Sequence, residues 1–288
     1  MKTGTDLFSL WQVVTRQGWR LIGSLLNREM TLPQIPRDFA TMSGFVNSAR
    51  SYAITVPPPR LYSFRRCPYA MRARLGILFA GLTVELREIV LKNKPAQMLA
   101  VSPKGTVPVL ELAGGDSSER FVIEESREIV EWALQQSDPQ GLLNTDLVSA
   151  NALIDRNDNE FKHWLDRYKY ADRHPELSQL DYRKKGEVFL QALESLLAKN
   201  RFLLGANISI ADIGIMPFVR QFAHVDREVF YSLPYPNLQR WLRGWLEHPV
   251  FLQVMVKCQP WQEGDELVVF PRTTTITLKC SSEVNASK

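Results

Sequence analysis

The spacing of apolar residues changes character twice along this chain, and the changes mark its parts. In the first stretch Leu7, Trp11, Val14, Leu21, Leu25 and Leu26 recur at roughly helical intervals, with Arg16, Arg20 and Arg28 between them. That pattern predicts a helix with one basic face. A secretory signal is not expected, because Arg16 and Arg20 interrupt its apolar run. A helix that binds a membrane surface or a partner fits the pattern, and so does an extra helix or leader attached to the folded body. Residues 31–59 show no sustained period and end in Pro57-Pro58-Pro59, which favours an extended linker. A domain boundary is expected at residue 59.

Beyond it the pattern shortens. Leu61–Phe64 reads as a strand. Pro68 opens a helix through Ala80, which Gly81 stops. Val84 to Leu91 reads as a second strand, apolar at Val84, Leu86, Ile89 and Val90. Pro95 starts a short helix, and Ser102–Gly105 is a turn. Val107–Leu112 forms a strand, with a hairpin turn at Gly114-Gly115-Asp116 and a partner strand near Arg120–Ile123. A helix follows from Glu125 to Gln136. The opening β-α-β implies a parallel pair, and the hairpin adds an antiparallel edge. The expected unit is an α/β sandwich of thioredoxin type over residues 60–137. From Leu142 the pattern is helical, near 142–172, 180–199, 209–224 and 236–256. Ser209-Ile210-Ala211-Asp212 spells a capping box, with Ile208 and Ile213 at the hydrophobic-staple positions. The fold class is therefore α/β plus all-α. Residues 1–59 form an N-terminal extension and Pro-rich linker, 138–271 a helical domain, and 272–288 a polar, Thr/Ser-rich tail.

Composition narrows the class without naming a chemistry. Hydrophobic residues make up 45% and charged residues 23%, the balance of a globular protein with a core. The net charge of +4 argues against a dedicated nucleic-acid binder. Residues 1–59 hold six basic residues against three acidic ones, so the basicity belongs mainly to the extension. No run of about 18 uncharged apolar residues exists, so no membrane span is expected. Three cysteines (Cys67, Cys258 and Cys280) cannot staple a chain of 288 residues, and an odd count suits a reducing, cytoplasmic setting. No Cys/His spacing reads as a metal site.

The chemistry concentrates at Cys67. It follows the first strand and precedes Pro68, which puts its sulfur at a helix N-terminus, where unpaired N–H groups favour an anion. Arg65 and Arg66 add positive charge. Thiols so placed fall from a pKa of about 8.5 to roughly 3.5–7.5. A buried structural cysteine is the competing assignment. In Cys67-Pro68-Tyr69-Ala70, alanine stands where a C-x-x-C pair has its second thiol. A mixed disulfide at Cys67 must then be resolved by an external thiol such as glutathione.

Arg65-Arg66-Cys67-Pro68-Tyr69-Ala70, with Arg72 and Arg74, resembles the active-site turn of cysteine-type glutathione transferases, the omega class above all. Leu91–Pro95, Ser102–Glu111 and Glu124-Glu125-Ser126 resemble further segments of that family, and Ser209–Asp212 matches the capping box of its helical domain. The resemblance spans about residues 60–271 and implies an all-helical glutathione-transferase domain in the second half. It departs at Arg66, where an aromatic residue is common.

The resemblance implies roles. Cys67 would be the catalytic thiol. Val107, before a cis Pro108, would offer its backbone to the cysteinyl part of glutathione. Glu125 would bind the γ-glutamyl amino group, Ser126 its carboxylate, and Lys94 the glycyl carboxylate. Glu125 and Ser126 as a plain helix cap, and Lys94 as a surface charge, are the structural alternatives. Trp164, Tyr168 and Trp261 would line an acceptor pocket, although Trp164 and Tyr168 at helical spacing also fit a core face.

The expected function is glutathione-dependent thiol transfer or reduction, including dehydroascorbate reduction, through a Cys67–glutathione mixed disulfide. The acceptor would be a small electrophile or disulfide, with no metal, no nucleic acid and a homodimeric assembly. Two alternatives stand beside it. One is conjugation, with a Tyr62 or Ser63 hydroxyl activating glutathione. The other is a non-catalytic module using the same fold as a docking surface. A complete set of glutathione contacts separates an enzyme from a module.

Overall fold

The computed structural model describes residues 57–113 and 120–271. The proposed helix in residues 7–26, the hairpin turn at 114–116, the tail and Cys280 lie outside them. Strands β1 (Arg60–Ser63), β2 (Val84–Glu88), β3 (Val109–Ala113), β4 (Arg120–Ile123) and β5 (Val269–Phe270) form one sheet in the order β4-β3-β1-β2-β5. β1 and β2 are parallel, and the other pairs are antiparallel.

The register divides the sheet into two chemically different faces. Leu61 pairs with Leu86 and with Leu110, and all three belong to one apolar core. Helices α1 (Pro68–Phe79) and α3 (Ser126–Gln136) join the same core through Leu75, Ile77, Ile129 and Val130. Each such leucine, fully buried, contributes about 2 kcal/mol of transfer free energy. The alternate positions carry Arg60, Tyr62, Glu85, Arg87 and Glu111. Arg60 bridges β2 and β3 by pairing with Glu85 (3.0 Å) and Glu111 (2.7 Å). Arg87 bonds Glu85 (2.6 Å) and the Tyr62 hydroxyl (3.1 Å). Helix α2 (Ala96–Val101) supplies Gln97, whose Oε1 accepts from Arg87 at 2.6 Å.

α1 is buried nearly all round because it lies between the sheet core and the second half of the chain. Pro68 is its first residue, and Gly81, at φ +68°, follows its end. Leu82 N–H donates to Ile77 O and Gly81 N–H to Leu78 O, both at 3.0 Å. These two bonds make a Schellman ending, whose left-handed residue favours glycine.

The second half is helical, as the periodicity predicts, with one interruption. α4 (Leu147–Arg156) passes through a π-helical turn at Asn157–Phe161 into α5 (Lys162–Lys169). α6 (Gln179–Leu197), α7 (Ile210–Ala223), α8 (Arg227–Ser232), α9 (Pro236–Glu247) and α10 (Pro249–Val254) follow. The capping box forms: Asp212 accepts from the Ser209 N–H (3.0 Å) and hydroxyl (2.7 Å). The chain then leaves the helical pattern and returns β5 to the edge of the sheet, against β2. Two residues are too short to show alternation, so this strand is not legible in the sequence.

Candidate functional site

The turn between β1 and α1 is built to hold Cys67 still. Its N–H donates to Phe64 O (2.9 Å), and its carbonyl accepts the helical bond from Met71 (2.9 Å). The preceding Arg65 N–H donates to Glu88 Oε1 (2.7 Å). Glu88 is itself held by the buried Arg74, which also donates to Ser63 Oγ (2.8 Å) and Val254 O (3.1 Å). Cys67 is thus the N-cap of α1, with extended backbone (φ −76°, ψ 125°). Its thiol lies 3.7 Å from Val107 O. The Val107–Pro108 peptide bond is cis.

A cleft of about 530 Å³ opens at this sulfur. Cys67, Lys94, Val107, Pro108, Glu125 and Ser126 all line it. The structure therefore gathers into one place the thiol and the five residues that the resemblance relates to glutathione. Lys104 lines the same cleft and pairs with Glu125. Burial of the Lys104 ammonium is slight, and the Glu125 hydrogen bond holds its pKa above the ordinary lysine range. Sequence reasoning missed Lys104, although its place before Gly105 was a signal. Gly105 turns at φ +63°, where a side chain would be strained, and a Cβ there would press on Leu99 Cδ2 at 3.2 Å.

The helix start lowers the Cys67 pKa less than the sequence implies. Burial raises it above the ordinary cysteine value. The N–H groups of Ala70 and Tyr69, then Lys162 and Lys169 on α5, act in the opposite direction without overcoming burial. The expectation of a depressed pKa is thus corrected. Its proposed source is corrected too. The Arg65 guanidinium donates to Met255 O (3.3 Å), and Arg66 stacks on Phe64 at 5.3 Å, while the cations that act on the sulfur come from the helical half.

Behind the cleft stands Arg72, only 1% exposed. It donates to Ser126 Oγ (3.3 Å), to both Asp158 oxygens (2.9 and 2.6 Å) and to Gly214 O (2.9 Å). Asp158 is carried by the π-helical turn, whose extra residue re-aims side chains relative to an α-helix. One guanidinium therefore ties α1, the start of α3, the π turn and α7 together. Tyr69 also lines the cleft, but burial, with Asp158 next, pushes its phenol up to about 12. It stays protonated at neutral pH.

The other assigned residues lie elsewhere. Tyr62 and Ser63 are fully buried and bonded to Arg87 and Arg74, so neither hydroxyl lines the cleft. Trp164 stacks on Tyr182 (6.5 Å) beneath Lys185. Tyr168 is 4% exposed and packs on Phe222 (4.9 Å). Trp261 lies under Arg87 (4.0 Å), and its backbone N–H donates to Glu88 O (2.7 Å). None of the three lines the cleft. Tyr168 completes a helical core, and Trp261 covers Arg87 on the polar face of the sheet. Among the described residues no group of three His, Cys, Asp or Glu side chains is placed to hold a metal ion. No described helix is long and apolar enough to cross a membrane.

Comparison with known proteins identifies the family of this fold. The model for the glutathione S-transferase N-terminal domain matches residues 61–141, and that for the C-terminal domain matches 163–244. "Probable glutathione transferase" of Aplysia californica is 37% identical over 90 residues, which cover 31% of this chain and 92% of the relative. Glutathione S-transferase omega-1 of Sus scrofa is 26% identical over 220 residues, 72% of this chain and 87% of the relative. Elongation factor 1-gamma 3 of Oryza sativa subsp. japonica is 25% identical over 222 residues, 68% of this chain and about half (51%) of the factor. The fold is shared with a glutathione transferase family member from Pseudomonas fluorescens, solved with two glutathione bound. Its TM-score is 0.60 at 17% identity, covering 71% of this chain and 95% of that one.

Proposed function

The chain belongs to the glutathione S-transferase family, and on that premise we propose that it is a glutathione-dependent thiol transferase of the omega-like, cysteine type. The observation that carries this reading is the thiol of Cys67, the N-cap residue of α1, in a cleft that also holds Lys94, Val107, Glu125 and Ser126. Residues 60–137 bind glutathione, and residues 138–271 help to bind the acceptor. The γ-glutamyl carboxylate meets the Ser126 N–H and hydroxyl, with the Arg72 guanidinium behind them. Glu125, already paired with Lys104, takes the amino group. Lys94 pairs with the glycyl carboxylate. The Val107 backbone pairs with the cysteinyl unit like an added strand.

The reaction is two exchanges. The Cys67 thiolate attacks the glutathionyl sulfur of a mixed disulfide GS–S–R. A Cys67–S–SG bond forms, the GS–SR bond breaks, and R–S⁻ leaves and takes up a proton. A second glutathione, as thiolate, attacks the glutathionyl sulfur, forms glutathione disulfide and returns the Cys67 thiolate. The net change is GS–SR plus GSH to GSSG plus RSH.

Cys67→Ala is expected to lose thiol transferase and dehydroascorbate reductase activity while still binding a glutathione resin. Equal activity in the two proteins would sink the proposal. A second reading has its own observation, the likeness to an elongation factor: here the fold serves docking rather than catalysis. Failure of the wild-type protein to bind the resin would favour that reading. Conjugation of an aryl halide that survives in Cys67→Ala would favour the conjugating alternative.

A further inference from the structure

A second cavity, of about 410 Å³, lies against the Cys67 turn from the helical half. Arg66, which precedes the cysteine, lines it, and so does Met71, whose N–H donates to the Cys67 carbonyl. Its other walls include Lys169 on α5 and Arg220, Gln221 and His224 at the end of α7. The cavity is one-signed: Arg66, Lys169 and Arg220 face it, and no Asp or Glu does. Among the described residues none of these three cations makes an ion pair. Two acids near them in the chain are engaged elsewhere, Asp166 by Lys162 and Asp226 by the Val229 N–H at the start of α8.

Two atoms in this wall are left unsatisfied. Arg220 Nε and Gln221 Oε1 are buried without a hydrogen-bond partner. Burial, followed by the charges of Arg65 and Arg227, holds Arg220 below the ordinary arginine range. A half-buried cation with a buried, unpaired Nε and cations around it is a standing free-energy cost, which a bound anion lowers. The guanidinium edge offers Nε–H and Nη–H in the parallel geometry that a carboxylate accepts. Gln221 Oε1 accepts from a hydroxyl or N–H on the same ligand.

We propose that this cavity selects the acceptor by charge: the R group of the mixed disulfide GS–S–R carries a carboxylate, bound by Arg220 with Lys169 and Arg66. The proposal deepens the thiol-transfer reading and rests on it for the identity of the reacting bond. The glutathionyl half occupies the first cleft and the anionic half the second. When the Cys67–S–SG bond forms and the GS–SR bond breaks, R–S⁻ leaves into the basic cavity and takes its proton from solvent. The Trp164, Tyr168 and Trp261 assignment for the acceptor is replaced by these polar residues.

The test uses three glutathione mixed disulfides of similar size, with mercaptoacetate, mercaptoethanol and cysteamine. The expected order of kcat/KM is anionic, neutral, cationic, with the anionic substrate about tenfold above the neutral one. That ratio falls towards one in Arg220→Gln, falls part-way in the exposed Lys169→Gln, is largely kept in Arg220→Lys, and shrinks in about 0.5 M NaCl, where charges are screened within about 4 Å. Arg201→Gln, outside this cavity, leaves it unchanged. A wild-type ratio of one, with activity still lost in Cys67→Ser, overturns the charge selection and leaves thiol transfer standing. Thiodiglycolate, a dianion that cannot be reduced, provides a readout independent of turnover. By calorimetry it binds Cys67→Ser as tightly as wild type and Arg220→Gln about tenfold more weakly. If Cys67→Ser keeps full activity, the mechanism fails, and calorimetry alone decides the cavity: equal binding by wild type and Arg220→Gln overturns the proposal.

Discussion

At the scale of single residues, Cys67 shows how far local reading reaches. Strand end, helix start and Pro68 are contiguous, so the sequence places the sulfur at a helix N-terminus, and the structure has it there. The pKa depends on how much of the molecule closes over the thiol, and that is not local. Burial wins over the N–H groups of Ala70 and Tyr69 and over Lys162 and Lys169. For an acid with a raised pKa the reactive thiolate is scarce at neutral pH and grows as pH rises through that pKa. Iodoacetamide alkylation at Cys67, followed by mass spectrometry across pH, is expected to show a midpoint above that of an ordinary cysteine. Lys162→Gln should move the midpoint further up. A midpoint at or below neutrality would mean that the N–H groups and lysines outweigh burial at Cys67. Short motifs mark Lys94, Glu125 and Ser126 as candidates, and the fold gathers them at one cleft; Lys104 meets Glu125 only there.

At the scale of elements, the ends of helices were the most legible features and the polar face of the sheet the least. Gly81 and Ser209–Asp212 write their bonds into a few adjacent residues. The sequence marks Asp212 as a cap; the structure adds that its other oxygen accepts from Leu203 N–H (3.0 Å) and Trp241 Nε1–H (2.9 Å). Four buried donors thus converge on one carboxylate. Asp212→Ala leaves all of them unpaired and is expected to cost about 3 kcal/mol or more in a urea titration. A loss under about 1 kcal/mol would mean that the donors find other partners. In β2 the alternation marks Val84 and Leu86 as core and says nothing of Glu85 and Arg87. Both are buried, because Arg60, Tyr62 and Trp261 come from distant segments to satisfy and cover them. The π turn at Asn157–Phe161 leaves no periodic trace, since one extra residue only shifts the phase of a helical pattern.

At the scale of the whole molecule, Arg72 joins what the two family models treat as separate halves. Its partners are at positions 126, 158 and 214. Arg72→Met is expected to lower stability by about 3 kcal/mol, because Asp158 and the Gly214 carbonyl lose a buried donor. Arg72→Lys should restore little, since one ammonium cannot reach all three partners at once. Urea midpoints measure the first effect, and glutathione affinity measures the loss of support at Ser126. A stability unchanged in Arg72→Met would show that this link does not hold the halves together. The sequence by itself determined the two-part fold, the start of α1 at Cys67 and the motifs that meet in the Cys67 cleft, because period, caps and turns act over a few residues. Only the tertiary structure decided the thiol's pKa, the inward role of Trp164 and Tyr168, and the basic cavity beside the sulfur. Burial, shared charge and enclosed volume are set by residues far apart in the chain, and no local pattern records them.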